Sequence, residues 1–236
     1  MITVHHLNNS RSQRVLWLLE ELALPYEIVK YERDPKTLLA PPTLRAVHPL
    51  GKSPVITDGD ATLAESGAIL EYLIETYGKD RSKGDGAPTP LDSAPLTVPE
   101  PGTPAHRLCR YFLHYAEGSL MPILLMKLVF NKVKNESPFL VRPIAKAIAG
   151  TVSSKFLDPN LKTHLAFLTD HLGKHAWFAG DHFTAADIQM SYPIEGAIAR
   201  AGDSVSPKLT DWLARIQARP AYRRAIERGG EYRVDV

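Results

Sequence analysis

The chain has 236 residues, 44% of them apolar, enough for one large or two modest domains around a hydrophobic core. Lys and Arg number 28 against 26 Asp and Glu, a net charge of +2, and no long basic run occurs, so nothing in the sequence argues for nucleic acid or an anionic membrane as partner. The single cysteine, Cys109, excludes an intrachain disulfide framework and any CxxC redox or zinc motif.

The opening "MITVHHLNNS" has neither the basic start nor the apolar core of a signal peptide. The most apolar later stretch, "SLMPILLMKLVF", is broken by Pro122 and Lys127 and is too short to span a bilayer, so a soluble protein with no membrane span is expected.

"ITVHHL" alternates apolar and polar residues and predicts a strand leading into the polar cluster at 8–12. Val15, Leu16, Leu18, Leu19 and Leu22 then recur at helical spacing until Pro25 stops them. "YEIVKY" predicts a second strand, and the proline-interrupted stretch after it leaves room for a short helix. Residues 55–57 and 61–64 flank Asp58-Gly59-Asp60, which has hairpin chemistry. "SGAILEYLIETYG" follows as a helix closed by Gly78.

This order predicts a small mixed sheet, with its first two strands parallel through a helical crossover and its hairpin antiparallel. Residues 79–104 hold six prolines and three glycines with no sustained apolar period and read as a linker. Beyond them the chain reads helical almost throughout. The expected fold is α/β plus all-α: an N-terminal α/β domain at 1–78, the linker at 79–104 and an all-helical domain at 105–236.

Four stretches have residues suited to chemistry or capping. In "HPLGKSPV", a proline opening a strand cannot donate to the sheet ladder. A cis Ser53–Pro54 bond would turn the Ser53 backbone outward to pair with an extended peptide. Only about 5–6% of X–Pro bonds are cis, so spacing alone favours trans. In "AESGAI", Glu65 and Ser66 bring a carboxylate, a hydroxyl and free N–H groups to a helix start, a setting that suits an anion or simply an N-cap serine. Ser10, with Gln13 three residues on, fits a capping box, yet it sits between strand and helix at the same rim. "FTAADI" is a complete capping box with Thr184, Asp187 and a Phe183–Ile188 staple, and is assigned to folding. Tyr111 and Tyr115 share a helix face. The nine histidines show no metal-ligand spacing, and no G-x-S-x-G elbow or phosphate loop occurs.

Together, "SRSQRVLWLLEEL", "HPLGKSPV", "LAESGAIL" and "GDHFTAADI" resemble, in order and spacing, the cytosolic glutathione transferase superfamily, and "RYFLHYAEGSLMPILL" resembles a fungal and bacterial branch of it. The resemblance covers nearly the whole chain apart from the linker. It implies a thioredoxin-like N-terminal domain, a cytoplasmic homodimer acting in detoxification, glutathione as co-substrate and no metal. It also implies a cis Pro54, with the Ser53 backbone pairing to the cysteinyl unit, Glu65 and Ser66 holding the γ-glutamyl end, and Lys52 with His48 meeting the glycine carboxylate.

Ser10 matches the catalytic hydroxyl of the serine-type classes, and Asn9 competes with it through a one-residue slip. Tyr111, Tyr115 and Met121 are the candidates for the wall of the acceptor pocket. No tyrosine or cysteine stands at the sites used by the tyrosine and thiol-reducing classes, which disfavours a disulfide reductase. The implied activity is a glutathione transferase acting on a small apolar electrophile or hydroperoxide, with a peroxidase side activity open. The alternative is a non-catalytic glutathione-binding or regulatory protein of the same fold. Lowering a thiol pKa by about two units takes roughly 2.7 kcal/mol of preference for the anion. One hydrogen bond to a charged group contributes about 1.5–3 kcal/mol and a helix N-terminus roughly 0.3–1 kcal/mol, so one hydroxyl at a helix start suffices.

Overall fold

The computed structural model describes residues 1–78, 96–201 and 205–231. Strand β1 (Ile2–Leu7), helix α1 (Ser12–Glu21) and β2 (Tyr26–Tyr31) come first. After α2 (Pro42–Val47), the hairpin β3 (Val55–Asp58) and β4 (Ala61–Ala64) leads into α3 (Ser66–Tyr77). The four strands form one sheet in the order β2-β1-β3-β4. β1 runs parallel to β2 and antiparallel to β3, with Ile2 opposite Tyr26 and His5 opposite Val55. A thioredoxin-like mixed sheet results. Gly59 takes a φ of +56° at the hairpin turn, and Tyr72 and Tyr77 of α3 donate to Asp58 to hold the turn against the helix.

Two helix ends differ from expectation. α1 stops at Ala23, whose φ of 45° lets Leu24 N–H reach back to Leu19 O at 3.0 Å. A left-handed alanine, not Pro25, therefore ends it. Gly78 follows α3 in a right-handed conformation, φ −75°, so it is not a left-handed glycine cap.

The rest is helical: α4 (Pro104–Tyr115), α5 (Met121–Glu136), α6 (Arg142–Val152), α7 (Asp158–Lys174), α8 (Ala185–Ala201), α9 (Pro207–Gln217) and α10 (Pro220–Gly229). α4 and α5 are joined by a π-helical turn, Ala116–Leu120, and α6 and α7 by another, Ser153–Leu157. Pro122 and Pro159 follow these turns at the same offset. A proline has no N–H for the regular ladder, and a π turn lets the helix absorb the missing bond without breaking.

Residues 79–95 of the expected linker lie outside the described residues. Its end is docked: the Thr97 N–H and hydroxyl both donate to Phe183 O at 3.0 Å, and Thr103 caps α4 by accepting from His106 N–H. One contiguous apolar core joins both parts of the chain, running from Val4, Leu16 and Trp17 to Phe112, Phe178 and Trp212. A buried bidentate pair adds to it, Arg219 of the α9–α10 connection against Glu21 of α1 at 2.6 and 2.9 Å.

Candidate functional site

The loop after β1 is fixed before any ligand is considered. Arg33 donates to the carbonyls of Asn8, Asn9 and Leu38, while its own N–H goes to Asn8 Oδ1. Asn9, with φ 49°, makes the turn that delivers Ser10 to the start of α1. Ser10 is 3% exposed, and its Oγ accepts from Ser12 N–H at 3.3 Å, a cap made two residues on rather than at Gln13.

From Ser10 a chain of hydrogen bonds runs inward. Ser10 Oγ lies 2.6 Å from Ser12 Oγ, which lies 2.8 Å from His6 Nδ1. Burial, and then the charge of Lys30, pull His6 down to about 4, while a backbone hydrogen bond to Gly229 opposes them. The imidazole is neutral at pH 7. Either hydroxyl of the Ser10–Ser12 pair can donate, and the direction along the chain follows the tautomer of His6. On its outer side Ser10 Oγ is 3.4 Å from Ser53 Oγ, which donates to His5 O at 2.9 Å.

Ser53 opens the second wall. The Ser53–Pro54 bond is cis, and Gly51 before it has φ +56°, with Arg45 Cγ only 2.5 Å from where a Cβ would stand. Only glycine suits that position. The third wall is the start of α3. Glu65 occupies the residue before the helix with φ 70°, and Ser66 Oγ accepts from Arg14 Nη2 at 2.8 Å and from Gln189 Nε2 at 3.4 Å. Ser66 is therefore the first helical residue and faces inward. It is not an ordinary N-cap.

These walls enclose an open cavity of about 150 Å³ lined by Arg11, His48, Lys52, Ser53, Pro54, Glu65, Ser66 and Glu117, among others. A larger cavity of about 760 Å³ lies elsewhere, among Lys127, Leu161, Leu165 and Arg200, and none of the residues singled out from the sequence lines it. The smaller cavity therefore brings six of those residues together, His48, Lys52, Ser53, Pro54, Glu65 and Ser66. Ser10 lies beneath its floor, in reach of Ser53, while Asn9 makes the turn beside it.

Tyr111 and Tyr115 point elsewhere. Their rings pack on Phe167 of α7 at 6.2 and 5.6 Å, and Tyr115 OH meets His164 Nδ1. Met121 is partly buried against the core, four residues beyond Glu117. Cys109 is buried in α4, and burial pushes its thiol up. Among the described residues no group of three His, Cys, Asp or Glu side chains could hold a metal.

Sequence reasoning missed the centre of the site. Arg14 is 1% exposed, and its guanidinium donates to Gln189 O at 2.6 Å, to Ser66 Oγ at 2.8 Å and to Glu117 Oε1 at 2.6 Å. Burial pulls Arg14 below the usual guanidinium range, and Glu117 opposes that shift. Arg11 reaches both oxygens of the same carboxylate at about 3 Å. The π turn between α4 and α5 carries Glu117 to the cavity. A signal existed in the sequence: Arg11 and Arg14 share a helical stripe with Leu18 and Leu22, where charge is costly unless paired.

Replacing Arg14 by lysine keeps the charge but cannot satisfy three acceptors in a plane. The Arg14→Lys protein should bind glutathione roughly tenfold more weakly, from the loss of about one charged hydrogen bond's positioning of Ser66. Calorimetric titration checks this, and an unchanged Kd would show that Arg14 serves packing alone.

Known proteins match this architecture from end to end. Models for the glutathione S-transferase N-terminal and C-terminal domains match residues 10–76 and 155–215. Glutathione S-transferase 3 of Schizosaccharomyces pombe is 37% identical over 232 residues, covering 97% of this chain and 88% of its own length. The chain belongs to the glutathione S-transferase family. A glutathione S-transferase structure from Actinobacillus pleuropneumoniae superposes with a TM-score of 0.73 at 30% identity, covering 98% of this chain and 94% of that one. A glutathione transferase family member from Pseudomonas fluorescens, solved with two glutathione molecules bound, has a TM-score of 0.68 at 26% identity over 96% of this chain and 92% of its own.

Proposed function

We propose that this member of the glutathione S-transferase family is an active glutathione transferase. It lowers the pKa of the glutathione thiol for attack on an apolar electrophile or a hydroperoxide. One observation carries most of the support: a single cavity gathers two cations, Arg11 and Lys52, and the His48 imidazole with two carboxylates, Glu65 and Glu117. Glutathione has two carboxylates and one ammonium, and a mixed site of this kind complements it. In this reading Lys52 and His48 meet the glycine carboxylate, the Ser53 backbone beside Pro54 pairs with the cysteinyl unit, and Glu65 and Ser66 hold the γ-glutamyl end. Ser10 donates to the thiolate, and Met121 walls the acceptor side beyond Glu117. Glutathione is the co-substrate. No metal is needed, because the nucleophile is a thiolate and the stabilising groups are hydrogen-bond donors.

Cytoplasmic location, a homodimer and a detoxifying role complete the proposal, carried by the family resemblance. No described helix is long and apolar enough to cross a membrane.

The alternative, a glutathione-binding protein without thiol activation, has one observation in its favour: Ser10 Oγ already has Ser12 Oγ at 2.6 Å and Ser53 Oγ at 3.4 Å as hydrogen-bond partners. Turnover separates the two. The purified chain should conjugate glutathione to a chlorinated dinitrobenzene, or reduce an organic hydroperoxide with it, and light scattering should give twice the chain mass. Tight glutathione binding with neither reaction would establish the non-catalytic reading.

A further inference from the structure

The hairpin of α5 and α6 exposes apolar side chains that nothing among the described residues covers. Phe139 and Leu140, in its connecting loop, are 82% and 87% exposed. Val141 beside them is exposed, as are Ile144 and Ile148 on α6, and so are Leu125, Val129 and Val133 at four-residue spacing on α5. Single exposed apolar residues are ordinary. A cluster at a projecting tip marks an interaction surface.

Charge identifies the partner. Lys132, Lys134, Arg142 and Lys146 flank the tip against Glu136, and with Lys155 beyond the far end of α6 residues 128–156 carry a net +4. The whole chain carries +2, which leaves the remainder at −2. Lys134, Lys146 and Lys155 are exposed, and none of them has an ion-pair partner among the described residues. Arg142 holds the loop itself, donating from Nε to Ser137 O at 3.1 Å. These cations are scattered in the sequence and form no basic run there. Only the hairpin brings Lys132, Lys134, Arg142 and Lys146 to the two helix ends beside Phe139 and Leu140.

We infer that this tip docks on an anionic phospholipid surface. Phe139 and Leu140 enter the interfacial layer, and the lysines, whose stems lie along it, meet the head groups. A second copy fits less well, because a two-fold contact through this tip sets like charges against each other. α5 is 16 residues long, so the tip lies about 24 Å along the helix from Met121 and the Glu117 side of the cavity. If the transferase reading holds, docking brings the site close to the phase in which apolar acceptors dissolve. The docking itself does not depend on that reading.

Vesicle flotation of the full chain tests it, using phosphatidylcholine vesicles with and without phosphatidylserine. On the order of tenfold more protein should float with the anionic vesicles at low salt, and the excess should vanish at high salt. The Phe139→Asp/Leu140→Asp protein should lose flotation while keeping its elution volume and glutathione affinity. The Lys134→Glu/Lys146→Glu protein should lose the preference for phosphatidylserine. Absence of flotation, or equal flotation of the double aspartate variant, overturns the inference. A changed elution volume for that variant also overturns it, because the tip would then be covered by a second copy.

Discussion

The Ser10→Ala protein should bind glutathione with near-normal affinity yet lose the ultraviolet thiolate band of the bound tripeptide at neutral pH. The hydroxyl's hydrogen bond to the anion contributes about 1.5–3 kcal/mol. At about 1.36 kcal/mol per pKa unit, its removal raises the thiol by roughly one to two units. kcat/KM for an activated electrophile should fall roughly ten- to a hundredfold, following the thiolate fraction.

The direction of the hydroxyl chain adds a control. Ser10 Oγ lies 2.6 Å from Ser12 Oγ and can donate to Ser53 Oγ at 3.4 Å. A thiolate competes with these two oxygens for the Ser10 proton. The Ser12→Ala protein removes the competing acceptor, so its band should persist and its apparent pKa should fall, not rise. If the band survives Ser10→Ala and disappears in Asn9→Ala, the activating role belongs to Asn9. A band lost in Ser12→Ala would mean that the chain donates outward, from His6 through Ser12 to Ser10.

The second large effect is on stability. Asp187, fully buried at the start of α8, accepts from Phe178 N–H at 3.0 Å, Thr184 N–H at 3.0 Å, Trp212 Nε1–H at 3.2 Å and the Thr184 hydroxyl at 3.4 Å. It thus ties α8 to the 175–180 loop and to α9. Asp187→Ala strands three buried N–H donors, and the loss should be about 3–5 kcal/mol, a figure typical of removing one partner from a buried charged network. For a domain of this size each kcal/mol moves Tm by roughly 2–4 °C, so a fall of about 6–20 °C is expected in calorimetry.

The same carboxyl sets a pH signature. Burial pushes Asp187 up to about 6, against the hydrogen bonds that favour its anion. Between about pH 4 and 6 the folded protein then holds a proton at this site that the unfolded chain has released. This contribution to stability therefore falls as pH rises. Relative to Asp187→Asn, the wild-type advantage should shrink by about 3 kcal/mol from pH 4 to 7. An advantage that grows over that range would show that the hydrogen bonds outweigh desolvation.

Much of this protein could be read from its sequence, and the reason is local. Alternation in "ITVHHL" and "YEIVKY", the Asp-Gly-Asp turn and the Thr184–Asp187 box each report interactions within a few residues, and the strands, hairpin and cap stand where the pattern put them. The six residues around the cavity were accessible through motif resemblance, because each motif is a short run with its own backbone demand, such as the positive φ at Gly51.

What tertiary structure alone decided involves partners far apart in the chain. Ser66, Glu117 and Gln189 converge on Arg14 from 52, 103 and 175 residues away. Helical periodicity showed Tyr111 and Tyr115 sharing one face, but not that the face meets Phe167 on α7. The cations of the α5–α6 hairpin become a patch only once two helices fold back on each other. Propensity and burial stripes are set by neighbours in sequence. Pair geometry and the sum of charges are set by chain closure, which no window of residues contains.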